Sequence, residues 1–329
     1  MGEATRAGDH PLPGRSGRSL DPGGGPGAAV LGLGLIGASL CLALRATGRF
    51  ATVVAWDPEL ETAQRARKLN VADRLTGSVA EAVRGAAAVF VAVAPDQMRE
   101  VLAAAGAHLE QGAVVCSLDE GQEHAMALAR ELIPGSVSFV AAHPLLWEVA
   151  TAESEPSASL FQQGTVSLSS LPSAHPDAVA FVASVAEALG MTTFFVDPRE
   201  HDAFFSGVGR LPSLLAAALI RVATREPSWR ELSRLAGGDF RHATSPVEAS
   251  PSREQQALAL SREHMVRWLD TLMAELGTLR EALQDGREPP DLYTAAAEAR
   301  RRWLRERQLP PGTTELPPSP SIPRRRFWF

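Results

Sequence analysis

Three glycines, at positions 32, 34 and 37, constrain most strongly what this chain can fold into. An apolar run from Ala29 to Leu31 precedes them, and a second from Ala38 to Leu44 follows. In such a strand, turn and helix, the first glycine makes a tight turn, the second lets a pyrophosphate approach the backbone, and the third admits close packing of the helix. The helix N-terminus offers its N–H groups to an anion. The spacing predicts a dinucleotide-binding turn with contacts at Gly32, Gly34, Leu35, Ile36 and Gly37.

Two further segments belong to the predicted cofactor site. Asp57 follows a second β-type run, 23 residues after Gly34, where a carboxylate accepts hydrogen bonds from both ribose hydroxyls. A carboxylate there repels a 2′-phosphate, so NAD is expected, with NADP as the alternative if Arg65 or Arg67 turns inward. Ala94 and Pro95 follow another apolar run and are expected to pass near the nicotinamide ribose.

Apolar β-type runs alternate with helical stretches through the first half of the chain, and from about Arg199 the strands stop. This alternation predicts an α/β fold, a doubly wound Rossmann-type parallel sheet, followed by an all-helical domain. Met265 to Leu283 has apolar residues at steps of three and four, which predicts one continuous helix. The expected domains are a disordered leader (1–26), a dinucleotide-binding domain (27–198), a helical substrate and dimerisation domain (199–308) and a disordered Pro-rich tail (309–329).

Charge, cysteine content and the first apolar segment exclude several classes of protein. The 329 residues carry a formal net charge of -6, which provides no basic field for nucleic acid. Two distant cysteines build neither a disulfide framework nor a cysteine zinc site, which fits a reducing cytoplasm. The apolar segment from Ala28 to Leu44 is shorter than the roughly 20 residues of a spanning helix and contains the three glycines, so no membrane anchor is expected.

The reactive centre is expected at the carboxyl ends of the strands, where open α/β sheets bind ligands. Of the eight histidines, His143 is the candidate catalytic group, because Ala142-His143-Pro144 is predicted to follow a strand on the cofactor side. An imidazole there can accept a proton near neutral pH. The alternative is a hydrogen-bonded structural histidine.

Several short motifs, in this order and spacing, resemble the prephenate and arogenate dehydrogenases of tyrosine biosynthesis from about Gly27 to Arg307. They are Gly32-Leu-Gly-Leu-Ile-Gly-Ala-Ser-Leu40, His143-Pro144, Ser159-Leu-Phe161, Glu200-His-Asp202, Leu211-Pro212, and Phe240-Arg241 with Thr244. The resemblance implies NAD(P)-dependent oxidative decarboxylation: hydride leaves the carbon that bears the hydroxyl, carbon dioxide departs, and the ring becomes aromatic. It also implies that His143 accepts the hydroxyl hydrogen, and that the helical half forms a homodimer. The apolar character of Ala203 to Ala223, which predicts a buried interface helix, agrees with a dimer.

The substrate side departs from the pattern of that family. Its usual Asp-x-Gly-Ser-x-Lys is replaced by Asp119-Glu-Gly-Gln-Glu-His124, and its Ser-His-Leu-Pro-His by Gly209-Arg-Leu-Pro-Ser213. Its Thr-Arg-Ile-Ala is replaced by Thr244-Ser-Pro-Val247, which removes the arginine that would bind a substrate carboxylate. After His143-Pro144, the usual turn is replaced by Leu145-Leu-Trp147.

Two arginines are candidates to compensate, because a guanidinium can pair with a carboxylate through two hydrogen bonds. Arg210 stands where the family has a histidine, and Arg241 lies four residues before the lost arginine. The expected substrate-binding residues are Gln122, Arg210, Ser213 and Arg241, with a small carboxylate as the substrate. For both arginines the alternative is a solvated or ion-paired side chain.

Three functions remain open at this point. The first is a tyrosine-pathway dehydrogenase with a rebuilt substrate pocket. The second is a dehydrogenase for another small carboxylate. The third is a catalytically inactive nucleotide-binding dimer with a regulatory role, for which intact glycines beside an altered substrate side would be typical.

Overall fold

The structure, a computed structural model, describes residues 26–146, 154–248, 251–287 and 292–307. Three parts of the sequence analysis lie outside the described residues: the predicted leader up to residue 25, Trp147 and the predicted tail.

One eight-stranded sheet forms the centre of the fold, with the strand order β3-β2-β1-β4-β5-β6-β7-β8. Neighbouring strands are parallel except β6 and β7, which are antiparallel. The strands are β1 (Gly27–Leu31), β2 (Thr52–Trp56), β3 (Arg74–Leu75), β4 (Ala86–Val91), β5 (Val114–Ser117), β6 (Ser138–Leu145), β7 (Thr165–Ser170) and β8 (Thr192–Phe195). The predicted α/β class with a mostly parallel sheet is confirmed.

Helices cover both faces of the sheet. The first six are α1 (Leu35–Thr47), α2 (Leu60–Lys68), α3 (Val79–Val83), α4 (Pro95–Gly106), α5 (Gln122–Leu132) and α6 (Pro176–Ala188). Alternate residues of β1 enter two separate apolar cores, with Val30 in one and Ala29 and Leu31 in the other. Because both faces of a parallel strand are buried, its sequence is continuously apolar rather than alternating.

Two details of the sheet differ from the sequence expectations. The two-residue strand β3 was not foreseen, since so short a segment has no periodicity to detect. His143 does not follow β6 but lies within it, opposite Ser167 of the antiparallel β7. Ser117, which ends β5, pairs with Ala141, two residues before His143, so the histidine still lies at the edge of the sheet where the parallel strands end.

The second half of the chain is helical, as predicted. Its helices are α7 (Pro198–Phe205), α8 (Leu211–Arg225), α9 (Trp229–Leu235), α10 (Gly238–Thr244), α11 (Pro251–Leu260), α12 (Arg262–Gln284) and α13 (Leu292–Arg307). The single helix expected for residues 265 to 283 is confirmed as α12. Two compact units result, Met1–Leu269 and Asp270–Phe329, so α7 to α11 share a unit with the sheet. The expected change of domain at residue 198 coincides with the start of α7 and stays a prediction.

The stretch Pro198–Arg225 is continuously helical, and by length and composition it could cross a membrane. Only 17% of its most apolar window is buried in the single chain. Leu215, Leu219 and Val222 of α8 are exposed at steps of four and three, which places them on one face. The predicted burial of this helix is therefore not achieved within one chain.

Candidate active site

The glycine-rich turn connects β1 to α1, and each glycine has a different environment. Gly32 has φ +96°, which favours glycine, and a side chain there would collide with the backbone of Ala92. A side chain at Gly37 would collide with the carbonyl oxygen of Gly32. Gly34 is exposed, and a Cβ there would meet nothing within 4 Å. Two glycines therefore shape the turn, while the third leaves open space at the amino end of α1.

Two observations show that this turn is suited to a dinucleotide. No side chain of the described residues caps the N-terminus of α1, so its first N–H groups point toward the open space at Gly34. Asp57 lies beside the turn, where its Oδ2 accepts the N–H of Leu33 at 2.5 Å and its Oδ1 accepts that of Glu59 at 2.8 Å. Burial raises the pKa of the Asp57 carboxyl above its ordinary value, and the two N–H groups oppose that shift.

The other predicted cofactor residues lie at the neighbouring strand end. Ala94 is the N-cap residue of α4 and Pro95 its first residue, a position where the missing N–H of proline costs nothing. Arg65 and Arg67 are exposed on α2. Ser117, at the end of β5, has a buried hydroxyl without a hydrogen-bond partner among the described residues. Backbone and polar groups for a nucleotide thus follow β1, β2, β4 and β5 along one edge of the sheet.

His143 is the first member of a chain of hydrogen-bonded side chains. It is 8% exposed, and its Nδ1 lies 3.0 Å from Nε2 of His201. The Nδ1 of His201 lies 2.8 Å from Oδ1 of Asp202. His201 and Asp202 are both buried at the end of the first turn of α7. The sequence contains the Glu200-His-Asp202 motif but does not indicate that this motif reaches His143.

The partners of Asp202 determine the direction of the hydrogen bonds. Its two carboxylate oxygens accept the N–H groups of Gln122 and Glu123, both at 3.0 Å, at the positive end of α5. A carboxylate held this way only accepts, so Nδ1 of His201 donates to it. Nε2 of a neutral His201 then accepts from Nδ1 of His143. This tautomer of His143 has its lone pair on Nε2, which makes that nitrogen a proton acceptor.

Gln122 does not have the role predicted for it. Its side chain is fully buried, where Nε2 donates to Oγ of Ser167 at 2.9 Å and Oε1 accepts from Oγ of Ser169 at 2.5 Å. Both ends of the amide are therefore engaged with β7. We correct the assignment from a substrate contact to a support that fixes α5, and with it the N–H groups that hold Asp202, against the sheet.

Between α7 and α8 the helix widens into one π-helical turn, Ser206–Arg210. Such turns are uncommon and frequently lie at functional sites. Side chains at Gly207 and Gly209 would collide with the rings of Trp268 and Phe205. Phe205 packs edge-on against His143, with their ring centres 4.4 Å apart. The two glycines therefore let large rings lie close to the helix, and one of these rings, that of Phe205, lies directly beside the imidazole of His143.

Arg210 ends the π-helical turn and is 7% exposed. Its guanidinium carbon lies 5.6 Å from the centre of the Phe205 ring, so His143 and Arg210 contact the same aromatic side chain. Its Nη2 is 3.9 Å from Oε1 of Glu120, beyond hydrogen-bond distance. Nε and Nη2 have no hydrogen-bond partner among the described residues. Burial of an arginine with unused donors is costly, so this site is suited to an anionic ligand.

The remaining predicted substrate residues separate into two groups. Ser213 lines the same cavity as Arg210, and its Oγ donates to Oε2 of Glu254 at 3.0 Å. Arg241 is exposed on α10 and is not among the residues that line this cavity. The structure thus brings Arg210 and Ser213 together but not Arg241, whose role stays a prediction.

Two domain families match consecutive parts of the chain. The nucleotide-binding domain of prephenate dehydrogenase matches residues 40–194, and the dimerization domain of prephenate dehydrogenase matches residues 197–296. The chain is 29% identical over 264 residues to a cyclohexadienyl dehydrogenase of Zymomonas mobilis, covering 78% of this chain and 89% of the relative. It is 25% identical over 255 residues to a prephenate dehydrogenase of Bacillus subtilis, covering 76% and 68%.

Solved structures support the fold. The prephenate dehydrogenase from A. aeolicus, in complex with hydroxyphenyl propionate and NAD+, has a TM-score of 0.77 at 19% identity, covering 87% of this chain and all of that one. The Synechocystis arogenate dehydrogenase has a TM-score of 0.69 at 21% identity, covering 85% and 99%. Because the two matched domains together span most of the residues, the chain belongs to the prephenate dehydrogenase family.

Proposed function

We propose that this protein catalyses the NAD(P)-dependent oxidative decarboxylation of prephenate or arogenate in tyrosine biosynthesis. In this reaction the substrate loses hydride and carbon dioxide, and its ring becomes aromatic. Membership of the prephenate dehydrogenase family supports the reaction class. The observation that carries the proposal is the hydrogen-bonded series of His143, His201 and Asp202, which places the lone pair of His143 on Nε2, at the edge of the sheet where the glycine-rich turn also lies.

The residues around the turn would hold the cofactor. The N–H groups at the start of α1 would bind the diphosphate beside Gly34, and Asp57 would accept from the ribose hydroxyls. Ala94 and Pro95 would line the nicotinamide side. Once bound, the nicotinamide supplies the hydride acceptor. A carboxylate at Asp57 disfavours a 2′-phosphate, so NAD is the expected form, with NADP as the alternative.

His143 would act as the general base. Its Nε2 lone pair accepts the proton of the ring hydroxyl, and the resulting positive charge is stabilised through His201 by the carboxylate of Asp202. The N–H groups at the N-terminus of α5 hold the carboxylate of Asp202 in place and stabilise its negative charge. Arg210 would bind a carboxylate of the substrate and so orient the hydroxyl toward His143.

We also propose a homodimer formed through the helical half, acting in the cytoplasm. The matched dimerization domain includes α8, whose exposed face of Leu215, Leu219 and Val222 is suited to a second copy.

Formation of NADH from purified protein, NAD and either substrate tests the proposal. We expect turnover in the unaltered protein and a decrease of about 10²–10⁴-fold in kcat for His143→Asn, since the base is removed. His175→Asn is the matched control, because His175 is exposed at the N-cap of α6 and asparagine also caps helices. Activity of the control should be unchanged.

Two outcomes contradict the proposal. If neither substrate yields NADH although calorimetry detects NAD binding, the chain is an inactive nucleotide-binding member of the family. If another small carboxylate is oxidised instead, the second function left open by the sequence is correct.

A further inference from the structure

Two side chains of opposite charge are among the residues that line one cavity of about 160 Å³ between α8 and α11. Arg210 lies on one side and Glu254 on the other, and Leu214 and Leu258 contribute apolar walls. No ion pair joins Arg210 to Glu254 within the part of the chain that the structure describes, although both side chains line the same space. Such a cavity is suited to a ligand group that itself carries both charges.

The arginine presents a defined pair of donors. Nε and Nη2 form one side of the planar guanidinium, and these two atoms have no hydrogen-bond partner among the described residues. A carboxylate matches that side with two parallel hydrogen bonds. Glu120, the acid nearest to Arg210 among the described salt bridges, is 3.9 Å from Nη2 and makes no such pair.

The glutamate is oriented by its neighbour. Oγ of Ser213 donates to Oε2 of Glu254 at 3.0 Å, which fixes the carboxylate at the cavity wall. On the same helix Gln256 donates to Oδ2 of Asp96 at 2.7 Å, which ties α11 to the first turn of α4. Glu254 is thereby held on the side of the molecule where the cofactor residues Ala94 and Pro95 lie.

One residue that lines the cavity, Arg210, is also close to the proposed catalytic base. The Arg210 guanidinium and the His143 imidazole contact the same ring, that of Phe205. In a cyclohexadienyl substrate the hydroxyl and the side chain are at opposite ends of the ring. A hydroxyl at His143 therefore leaves the side chain to reach toward a site beyond Phe205.

We propose that this cavity binds the α-amino acid group of the substrate, with its carboxylate on Arg210 and its ammonium on Glu254. This inference rests on the proposed function and selects arogenate over prephenate. The 2-oxo acid side chain of prephenate would place a carbonyl oxygen, which donates no hydrogen bond, against the Glu254 carboxylate. The amino acid group satisfies both charges.

The ratio of kcat/KM for arogenate to that for prephenate tests the inference. We expect the unaltered protein to favour arogenate by about 10- to 100-fold, the effect of one hydrogen bond between charged groups. Glu254→Gln should lower kcat/KM for arogenate by a similar factor and leave or improve that for prephenate. Glu263→Gln, an exposed residue of the first turn of α12, is the matched control and should change neither.

The outcomes separate the inference from the proposed function. A preference for prephenate, or a ratio that Glu254→Gln does not change, overturns the inference while the dehydrogenase function stands. If neither substrate is oxidised, the proposed function fails, and calorimetry with L-tyrosine and with 4-hydroxyphenylpropionate tests the cavity directly. Tyrosine should then bind at least about tenfold more tightly and lose that advantage in Glu254→Gln. Equal affinity for the two compounds overturns the inference.

Discussion

The reactivity assigned to His143 depends on atoms that it does not itself contact. Its tautomer follows from His201, and that of His201 follows from Asp202, whose oxygens are held by the N–H groups of Gln122 and Glu123. The sequence predicts His143 from its position near a strand end, but the other members come from α5 and α7. Their assembly could not be predicted, because hydrogen-bond partners 58 to 80 positions apart leave no local pattern.

Asp202→Asn tests this series of hydrogen bonds by replacing one carboxylate oxygen with an amide nitrogen. An amide can donate to His201, which would reverse both hydrogen bonds and place the proton of His143 on Nε2, where it blocks acceptance. We expect kcat to fall about 10²–10⁴-fold, as when a general base is lost, while NAD affinity measured by calorimetry stays the same.

Asp197→Asn is the control for this prediction. Asp197 caps α7 by accepting the N–H of Arg199, and asparagine preserves such a cap. Its activity should equal that of the unaltered protein. Wild-type kcat in Asp202→Asn would show that the carboxylate does not set the tautomer.

At the scale of elements, the strand, turn and helix that begin the fold were predictable, since each glycine has a local reason to be there. Gly37 is required by contact within the turn, whereas no described residue lies within 4 Å of a Cβ placed at Gly34. The π-helical turn was not predictable. It depends on the rings of Phe205 and Trp268 packing over Gly209 and Gly207, which is a tertiary contact.

Gly34→Ala separates the fold of the turn from its ligand. Gly34 has φ −58°, which alanine tolerates, and its Cβ would enter open space. We expect an unchanged Tm but NAD affinity at least about tenfold weaker by calorimetry, because the methyl group would occupy the path of the diphosphate.

Gly37→Ala is the contrasting variant. Its Cβ would collide with the carbonyl oxygen of Gly32, so its Tm should fall. NAD binding by Gly34→Ala with wild-type affinity would contradict the placement of the diphosphate at this turn.

At the scale of the whole molecule, the second half of the chain has apolar surface that one copy does not cover. The sequence predicts that the helix from Ala203 to Ala223 is buried at a domain or subunit interface, and in a single chain Leu219 is 42% and Val222 is 64% exposed. This exposed apolar face agrees with the proposed dimer, since residues 197–296 match the dimerization domain of prephenate dehydrogenase. Composition cannot distinguish burial within a chain from burial between chains, because both remove the same surface from water.

Leu219→Glu tests the proposed dimer. A charge at the centre of an apolar interface is unfavourable, so sedimentation should show a monomer where the unaltered protein shows a dimer. Leu60→Glu, on the exposed start of α2, is the control and should remain dimeric. A monomeric unaltered protein, or a dimeric Leu219→Glu, would contradict an interface on this face of α8.

The sequence by itself determined the class of fold and the dinucleotide turn, because these depend on periodicity and glycine spacing along the chain. Residue type and position near a strand end made His143 a candidate base, and the resemblance to the family made Arg210 a candidate. Only the tertiary structure decided that Gln122 supports rather than binds, that His201 and Asp202 orient His143, and that Glu254 shares a cavity with Arg210. The reason is physical: hydrogen bonds and electrostatic contacts act over a few ångströms of space, and folding brings together groups that are far apart in the sequence.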